Sequence, residues 1–258
     1  MKAQQNFREM GCSECAGGAG LDFDFSMSFQ PIVDLQNKKI FAYEALVRGL
    51  NNEPASKVFG NVNEGNCYRF DQACRVKAVK LASELGMDTF LSINFMPNAV
   101  YRPELCIRTT LEAADLYQFP VERIIFEFTE GERMDDLNHI REIVEYYKLS
   151  GFSTAIDDFG AGYAGLNMLA EIRTNFIKLD MALLRGIDQD PVRQIIVKGV
   201  LEMCQALGAT VVAEGIESPE ELRVLASFGI NLFQGYYFAQ PAFEALPQVQ
   251  PSAYLLQA

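Results

Sequence analysis

A chain of 258 residues that is 49% hydrophobic, 11% aromatic and 22% charged predicts a well-packed globular protein, long enough for one large domain such as an α/β barrel. Its formal net charge of −12 excludes an open basic surface for long nucleic acids, although a small phosphorylated ligand fits if metal ions supply positive charge. No apolar run reaches the roughly 18 residues that span a bilayer, and the N-terminus lacks a signal-peptide core, so the sequence predicts a cytoplasmic protein without a membrane segment.

The six cysteines are scattered along the chain, and we expect them to be reduced thiols. Cys12 and Cys15 form a CxxC pair, but a zinc site needs two more ligands, and the single histidine, His139, is far away in sequence. The single histidine also argues against a histidine-rich metal centre and against Ser-His-Asp chemistry. The cysteines therefore predict no metal site.

Residues 1–25 show no sustained periodicity and contain a run of small residues, Ala16-Gly17-Gly18-Ala19-Gly20. We interpret them as a flexible N-terminal arm, and residues 26–258 as the domain. The domain opens with two predicted strands, Ser28–Leu35 and Lys39–Val47, joined by a short hairpin-like link. The first strand is therefore predicted to be antiparallel to the second.

Beyond the hairpin, helical and strand patterns alternate. The predicted helices are Phe70–Leu85, Pro103–Leu116, Met134–Leu149, Leu166–Ile172, Pro191–Leu207 and Pro219–Phe228. The predicted strands are Phe90–Phe95, Ile124–Phe128, Ser153–Asp158, Phe176–Asp180, Thr210–Ala213 and Leu232–Phe233. Eight strands in this alternation predict an α/β fold, a TIM (β/α)8 barrel modified by its antiparallel first strand.

Seven consecutive predicted strands end in polar residues. From the second strand to the eighth, these are Glu44, Asn94, Glu127, Asp157 with Asp158, Lys178 with Asp180, Glu214, and Gln234. Any one of them alone is typical of a cap or a surface group. A series of seven favours a catalytic or ligand site, because barrel enzymes build their sites at the carboxyl ends of the strands.

Asp157 and Asp158 stand between an apolar, strand-like run and a turn that contains Gly160 and Gly162. Successive strand residues point to opposite faces, so we expect the two aspartates to share a site only if the strand ends there. Their repulsion would hold a proton on one of them unless a divalent cation neutralises both. The alternative is an acidic cap before the next helix, with Asp158 capping and Asp157 solvated.

The strand-end residues Glu44, Asn94, Glu127, Asp157 and Asp158 supply only oxygen ligands, which Mg²⁺ and Mn²⁺ prefer. Four carboxylates exceed the charge of one divalent ion, so two ions about 3.5–4 Å apart, bridged by Asp157, fit this set better. Such a pair activates water and stabilises the oxygens of an in-line phosphoryl displacement.

Three further residues are predicted to support this chemistry. Lys178 orients or activates the water, Glu214 accepts a proton or binds metal, and Arg48 contacts a phosphate. For Lys178 the alternative is a simple ion pair with Asp180. The residues alone leave these assignments open.

Ordered motifs are spread along residues 26–243, and the resemblance they carry covers nearly all of that range. They are Gln30-Pro31-Ile32-Val33, Glu44-Ala45-Leu46-Val47-Arg48, Asn94, Glu127-Phe128-Thr129-Glu130, Asp157-Asp158-Phe159-Gly160-Ala161-Gly162-Tyr163, Lys178-Leu179-Asp180, Ala213-Glu214-Gly215-Ile216-Glu217 and Gln234-Gly235-Tyr236. The series resembles the EAL-domain family of cyclic-di-GMP phosphodiesterases. The resemblance implies a TIM barrel with an antiparallel first strand. It also implies hydrolysis of cyclic-di-GMP to linear pGpG in bacterial signalling, dependent on Mg²⁺ or Mn²⁺ and inhibited by calcium.

The resemblance also implies a role for each matching position. The metal ligands are Glu44, Asn94, Glu127, Asp157 and Asp158. The remaining catalytic positions are Lys178, Gln234 and Glu214, the last being the proposed base. The substrate-contacting residues are Gln30, Leu46, Arg48, Asp180 and Gln234.

The loop after the paired aspartates is where the chain departs from the family. Ala161, Ala164 and Gly165 stand where hydroxyl residues are usual, which puts the rigidity of the loop in question rather than the metal chemistry. Glu130 matches the glutamate that anchors this loop; the alternative is that it caps the helix predicted to begin near Met134. Family members commonly dimerise through this loop and adjoining helices, so the resemblance implies a homodimer.

Two other functions stay open at this point. A catalytically silent receptor would bind cyclic-di-GMP without hydrolysing it, although such family members usually lack several metal ligands and none is missing here. A protein-interaction module would ignore the nucleotide altogether. The arm of residues 1–25 is too short to be a sensory domain, so the sequence does not identify an input signal.

Overall fold

The computed structural model describes residues 21–100, 102–129, 137–162 and 165–255. The strands are β1 (Ser26–Asp34), β2 (Lys39–Arg48), β3 (Phe90–Asn94), β4 (Ile124–Thr129), β5 (Ser153–Phe159), β6 (Phe176–Leu179), β7 (Thr210–Ala213), β8 (Leu232–Gln234) and β9 (Ala242–Phe243). The helices are α1 (Ala55–Phe59), α2 (Cys67–Glu84), α3 (Pro103–Cys106), α4 (Arg108–Leu116), α5 (Leu137–Leu149), α6 (Gly165–Glu171), α7 (Met181–Leu184), α8 (Pro191–Ala206) and α9 (Pro219–Ser227).

Strands β1 to β8 close into a barrel. Neighbouring strands from β2 to β8 are parallel, and β1 completes the ring by pairing antiparallel with both β8 and β2. The short strand β9 pairs with the opposite end of β1, with Phe243 beside Ser28. The predicted TIM barrel with its antiparallel first strand is confirmed.

The barrel interior has an apolar floor. It consists of buried Ile32, Ala42, Val212 and Leu232, against which Phe41, Phe90 and Phe176 pack. Side chains on a strand alternate between its two faces, so the next inward position on β2, β6, β7 and β8 lies directly above this floor. Those positions carry Glu44, Lys178, Glu214 and Gln234. The polar site therefore rests on a layer that excludes water.

Helices α8 and α9 begin where the sequence predicts, because each has a cap. The Asp190 carboxylate accepts from the N–H groups of Val192 and Arg193 at the start of α8, at 3.0 and 3.1 Å. Before α9, Ser218 and Glu221 form a reciprocal capping box. Such caps satisfy N–H groups that have no partner within the helix, so they fix its first residue.

Other boundaries differ from the prediction. The helix predicted over 103–116 is two helices, α3 and α4, separated by Ile107, although Ile107 itself has helical dihedrals of φ −77° and ψ −22°. Elements α1, α7 and β9 were not predicted, because elements of two to five residues carry no readable periodicity. Helix α5 is described from Leu137, and the predicted start near Met134 lies outside the described residues.

The packed part of the chain begins before residue 26. Phe25 is fully buried, its ring centroid 5.1 Å from that of Phe70, and Phe23 lies 5.9 Å from the same ring. Lys77 Nζ lies 2.7 Å from the Asp24 carboxylate. Residues 21–25, which the sequence analysis assigned to the flexible arm, thus pack on α2. Residues 1–20, with Cys12 and Cys15, lie outside the described ranges.

Two further expectations can be compared with the described residues. Cys67, Cys74, Cys106 and Cys204 form no disulfide there, and their reduced state stays a prediction. Across the described ranges, no helix combines the length and the apolar character needed to cross a membrane.

Candidate active site

Lys178 lies at the centre of the polar layer, with its side chain 1% exposed. Its Nζ is 2.7 Å from Glu214 Oε1, 2.9 Å from Glu127 Oε2, 3.1 Å from Asp157 Oδ1 and 3.4 Å from Glu44 Oε2. Burial alone would lower the pKa of Lys178, but these four carboxylates outweigh burial and raise it well above its usual value. The lysine is therefore a fixed positive charge that draws together the ends of four strands.

Asp180 does not take part in this group of ion pairs. Its Oδ1 accepts a hydrogen bond from the backbone N–H of Ala182 at 2.8 Å and so caps α7. The alternative of an ion pair between Lys178 and Asp180 is therefore wrong. The Asp180 side chain still lies beside the site, because it lines the same cleft.

Two side-chain amides hold the Glu44 carboxylate. Asn94 Nδ2 donates to Glu44 Oε1 at 2.8 Å, and Gln234 Nε2 donates to Glu44 Oε2 at 2.6 Å. Gln234 Nε2 also lies 3.2 Å from Gln30 Oε1, and the register of β1 against β2 places Gln30 opposite Glu44. The antiparallel first strand thus brings Gln30 into a site built otherwise from parallel strands.

Asp157 and Asp158 share the site because of a bulge, and not because the strand ends there as expected. Strand β5 continues to Phe159, and its register against β6 shifts between Ile156 and Phe159. At the bulge Asp158 has a φ of +53°, and its N–H donates to Asp157 Oδ1 at 2.9 Å. A bulge redirects a side chain, so both carboxylates reach the same side. The cap alternative is wrong, because Asp157 is buried and Asp158 lies within β5.

The site opens as a cleft of about 390 Å³ at the carboxyl ends of the strands. The predicted site residues that line it are Gln30, Glu44, Leu46, Asp157, Asp158, Lys178, Asp180, Glu214 and Gln234. Asn94 and Glu127 join this group through their contacts with Glu44 and Lys178.

Arg48 stands apart from the cleft. Arg48 follows the site on β2, but its Nη1 donates to the Val47 carbonyl at 2.8 Å, and Arg48 is not part of the cleft lining. Glu130, the predicted loop anchor, lies outside the described residues, as does Ala164 of the same loop.

The prediction missed five residues that line the cleft: Met181, Gly215, Glu217, Gly235 and Tyr236. All but Met181 belong to motifs named above, and this membership could have identified them from the sequence. Gly215 has a φ of +66°, and a Cβ atom there would lie 2.3 Å from Met181 Cβ. The chain can therefore turn at this point only with glycine. Tyr236 is 59% exposed and places an aromatic ring at the cleft.

Three carboxyl groups of the site have raised pKa values, with burial as the largest cause. Burial raises the pKa of Glu127 to about 8, although Lys178 opposes the shift. Burial and the charge of Asp157 raise the pKa of Asp158 to about 6. The same two causes raise the pKa of Glu214 well above its usual value. The site therefore holds more negative charge than its lysine balances.

The donor set fits a pair of hard divalent cations. Two groups of three carboxylates, Glu44 with Glu127 and Asp157, and Asp157 with Asp158 and Glu214, each have oxygens within 4.8 Å of one another. The five carboxylates and Lys178 carry a formal charge of −5 + 1 = −4, which two divalent cations offset. All donors are oxygens, as Mg²⁺ and Mn²⁺ prefer, and the shared Asp157 is suited to bridge two ions.

Comparison with known families and structures identifies the architecture. The EAL domain profile matches residues 21–241. The structure of a standalone versatile EAL protein from Vibrio cholerae O395, in a c-di-GMP bound form, is 60% identical with a TM-score of 0.88 and covers 91% of this chain and 99% of that one. Klebsiella pneumoniae BlrP1 in a manganese/cy-diGMP complex is 32% identical with a TM-score of 0.83, over 87% of this chain and 58% of that one.

Two curated relatives differ in what their names say. Escherichia coli BluF, named a blue light- and temperature-regulated antirepressor, is 32% identical over 86% of this chain and 55% of its own length. Shewanella oneidensis PdeB, named a cyclic di-GMP phosphodiesterase, is 29% identical over 63% of this chain and 19% of its own length. The chain thus spans about half of the one relative and about a fifth of the other.

The raised pKa values predict how stability depends on pH. A carboxyl group whose pKa is raised by folding stabilises the protein below its unfolded-state pKa, and this contribution is lost as pH rises through the folded-state pKa. For Glu127 the contribution is lost over the pH range from 4.5 to about 8. In excess chelator, we expect the melting temperature to fall by several degrees across this range. Mn²⁺ should oppose the fall, because it binds the ionised carboxylates.

The matched control is Glu127→Gln, which removes the titrating group and should show a weaker pH dependence in chelator. Scanning calorimetry of both proteins at several pH values gives the comparison. A wild-type melting temperature that rises from pH 5 to pH 8 in chelator, or equal slopes for the two proteins, would contradict the raised pKa of Glu127.

Proposed function

The chain belongs to the EAL domain family, and on this premise we propose that it hydrolyses cyclic di-GMP to linear pGpG with the aid of Mg²⁺ or Mn²⁺. The observation that carries the proposal is that two clusters of three carboxylates share Asp157 and lie beside the buried Lys178. The c-di-GMP bound Vibrio structure, the manganese complex of BlrP1 and the named activity of PdeB support it.

The metal ligands in this proposal come from four strands. They are Glu44, Asn94, Glu127, Asp157 and Asp158. Two divalent cations held there would stabilise charge on the phosphate oxygens and make the attacking water more acidic. Lys178 keeps Glu44, Glu127 and Asp157 at fixed distances, so little rearrangement accompanies the reaction.

Glu214 is the proposed base. Its carboxylate lies 2.7 Å from Lys178 Nζ and lines the cleft, and its raised pKa makes it a stronger proton acceptor than an exposed glutamate. Water attacks phosphorus as Glu214 takes its proton. Since pGpG keeps its phosphate on the 5′ side, the bond between phosphorus and the 3′ oxygen breaks. That oxygen takes a proton from solvent and leaves as the free hydroxyl, and Glu214 later releases its proton to solvent.

The remaining cleft residues position the nucleotide. Gln30, Leu46, Asp180 and Gln234 line the cleft and contact the substrate in this proposal. Arg48 binds a phosphate after it releases the Val47 carbonyl. We also propose, from the sequence resemblance, that Glu130 anchors the loop after the paired aspartates. A cytoplasmic location likewise stays a proposal.

A catalytically silent receptor is the second candidate. The observation that favours this function is the similarity to BluF, which is named an antirepressor and not a phosphodiesterase. Such a receptor would bind cyclic di-GMP and leave it intact. Against it, every predicted metal-ligand position of this chain carries an oxygen ligand. The two candidate functions are distinguished by pGpG, which the hydrolase forms and the receptor does not.

We expect the wild-type protein to convert cyclic di-GMP to pGpG in Mg²⁺ or Mn²⁺ and to lose this activity in excess chelator. Asp157→Asn should lower turnover at least about 100-fold, because even partners behind a metal ligand contribute about 10–100-fold. Glu214→Gln should slow turnover while nucleotide binding in calcium persists. Chromatography of the products and calorimetry of binding give these values.

Asp115→Asn is the matched control, since it makes the same chemical change on the exposed surface of α4. It should retain wild-type turnover. Binding of cyclic di-GMP without pGpG in either metal would establish the receptor function instead. Normal turnover of Asp157→Asn would refute the proposed bridging role.

We also propose a homodimer formed through the outer face of α8. An apolar stripe runs along this helix through Val192, Ile195, Ile196, Gly199 and Met203. Spacings of three and four residues place them on one face, and Ile195 is 71% exposed. A continuous exposed apolar surface of this kind marks an interaction site, and a second copy presents the matching stripe.

Ile195→Glu should therefore convert the dimer to a monomer, because it would bury a charge in the interface. Gln205→Glu adds the same charge to the same helix away from the stripe, and it should remain dimeric. Size-exclusion chromatography with light scattering gives the mass of each protein in solution. A monomeric wild type, or a dimeric Ile195→Glu variant, would contradict the interface.

A further inference from the structure

A buried ion pair lies behind the site, between α2 and the outer surfaces of β3 and β4. Arg75 is 0% exposed, its Nη2 lies 2.6 Å from Asp71 Oδ2, and its Nη1 donates to the Tyr147 hydroxyl at 2.9 Å. Replacing a buried ion pair with apolar side chains of similar volume is often neutral or stabilising. Packing alone therefore gives no reason for these charges.

Aromatic rings surround the guanidinium of Arg75. Its central carbon lies 5.1 Å from the ring centroid of Phe126, 5.3 Å from that of Phe95 and 5.8 Å from that of Tyr147. Rings at these distances attract a cation through their faces, and the attraction strengthens away from water. The cation thus fixes the positions of the Phe95 and Phe126 side chains.

Each of these two rings adjoins a proposed metal ligand in the chain. Phe95 directly follows Asn94, and Phe126 directly precedes Glu127. Neighbouring side chains on a strand point to opposite faces, so rings held on the outer face set the direction of the inward ligands. Arg75 therefore acts on both ligands through their neighbours.

Asp71 holds the backbone at the same place. Its Oδ1 accepts from the N–H of Met96 at 3.0 Å, two positions after Asn94. The N–H of Phe95 donates to the Glu127 carbonyl at 2.9 Å and ties the ends of β3 and β4 together. The backbone that follows Asn94 is thus held both by β4 and by the Asp71 carboxylate.

We propose that Asp71, Arg75 and Tyr147 are positioning residues for the metal centre. Through Phe95, Phe126 and the N–H of Met96, they hold Asn94 and Glu127 where two divalent cations need oxygen ligands. This inference rests on the proposed function, because it explains how the same ligands are kept in place. Loss of partners behind metal ligands weakens metal binding about 10–100-fold in other proteins.

The double variant Asp71→Leu/Arg75→Met tests the proposal, because it removes both charges and keeps an apolar core. We expect a folded protein whose melting temperature is lower by several degrees, because the Met96 N–H and the Tyr147 hydroxyl lose their partners. Its dissociation constant for Mn²⁺, measured by calorimetry without nucleotide, should rise about 10–100-fold. Tyr147→Phe, which removes only the hydroxyl that Arg75 binds, should raise the constant less.

Val79→Ala is the matched control, since Val79 is buried one turn farther along α2. It should lower the melting temperature and leave Mn²⁺ affinity unchanged. A folded double variant with wild-type Mn²⁺ affinity would overturn the positioning role. If the double variant does not fold, Tyr147→Phe decides: a raised constant supports the role, and an unchanged constant overturns it. Failure of the wild type to bind Mn²⁺ would instead refute the proposed function, and the positioning role with it.

Discussion

Compensation of a buried ammonium by surrounding carboxylates is the interaction on which the site depends. Lys178 is 1% exposed and lies above an apolar floor, where an unpaired charge would be very unfavourable. Four carboxylates from β2, β4, β5 and β7 lie within 3.4 Å of its Nζ. They stabilise the lysine but exceed its charge, so the same arrangement creates a demand for further cations. Structural compensation and metal affinity are therefore two results of one cluster.

The barrel supplies the geometry that this cluster needs. Alternation along each strand places the carboxylates one layer above the floor, and two irregularities complete the site. The antiparallel β1 sets Gln30 opposite Glu44, and the bulge in β5 turns Asp158 to the side of Asp157. The non-glycine residue Asp158 with φ +53° shows that backbone strain is accepted at this point. The proposed two-ion chemistry thus requires departures from a regular barrel.

Much of the fold could be predicted because its signals are local. The polar residues at the strand ends and the helix starts at Pro191 and Pro219 are readable from a single sequence, and the structure brings the strand-end residues together. The bulge at Asp158 could not be predicted, because it depends on the register of β5 against β6. The contact of Arg48 with its neighbour's carbonyl and the Arg75 network depend on tertiary packing, which periodicity does not contain. Residues 21–25 show no strand period, and for this reason they were assigned to the arm. Their aromatic side chains pack on α2, which the sequence pattern does not reveal.

The most direct test of this account is the number and position of cations in crystals grown with Mn²⁺, located by anomalous diffraction. The charge imbalance around Lys178 predicts two ions per chain. One should lie among Glu44, Glu127 and Asp157, and the other beside Asp157 and Asp158, with Asp157 shared and Glu214 left to act as the base. Crystals of Asp157→Asn, which lacks the shared carboxylate, provide the comparison and should lose at least one ion. Two ions at these positions would agree with the account. No ion, a single ion, or ions bound away from this cluster in the wild type would contradict it.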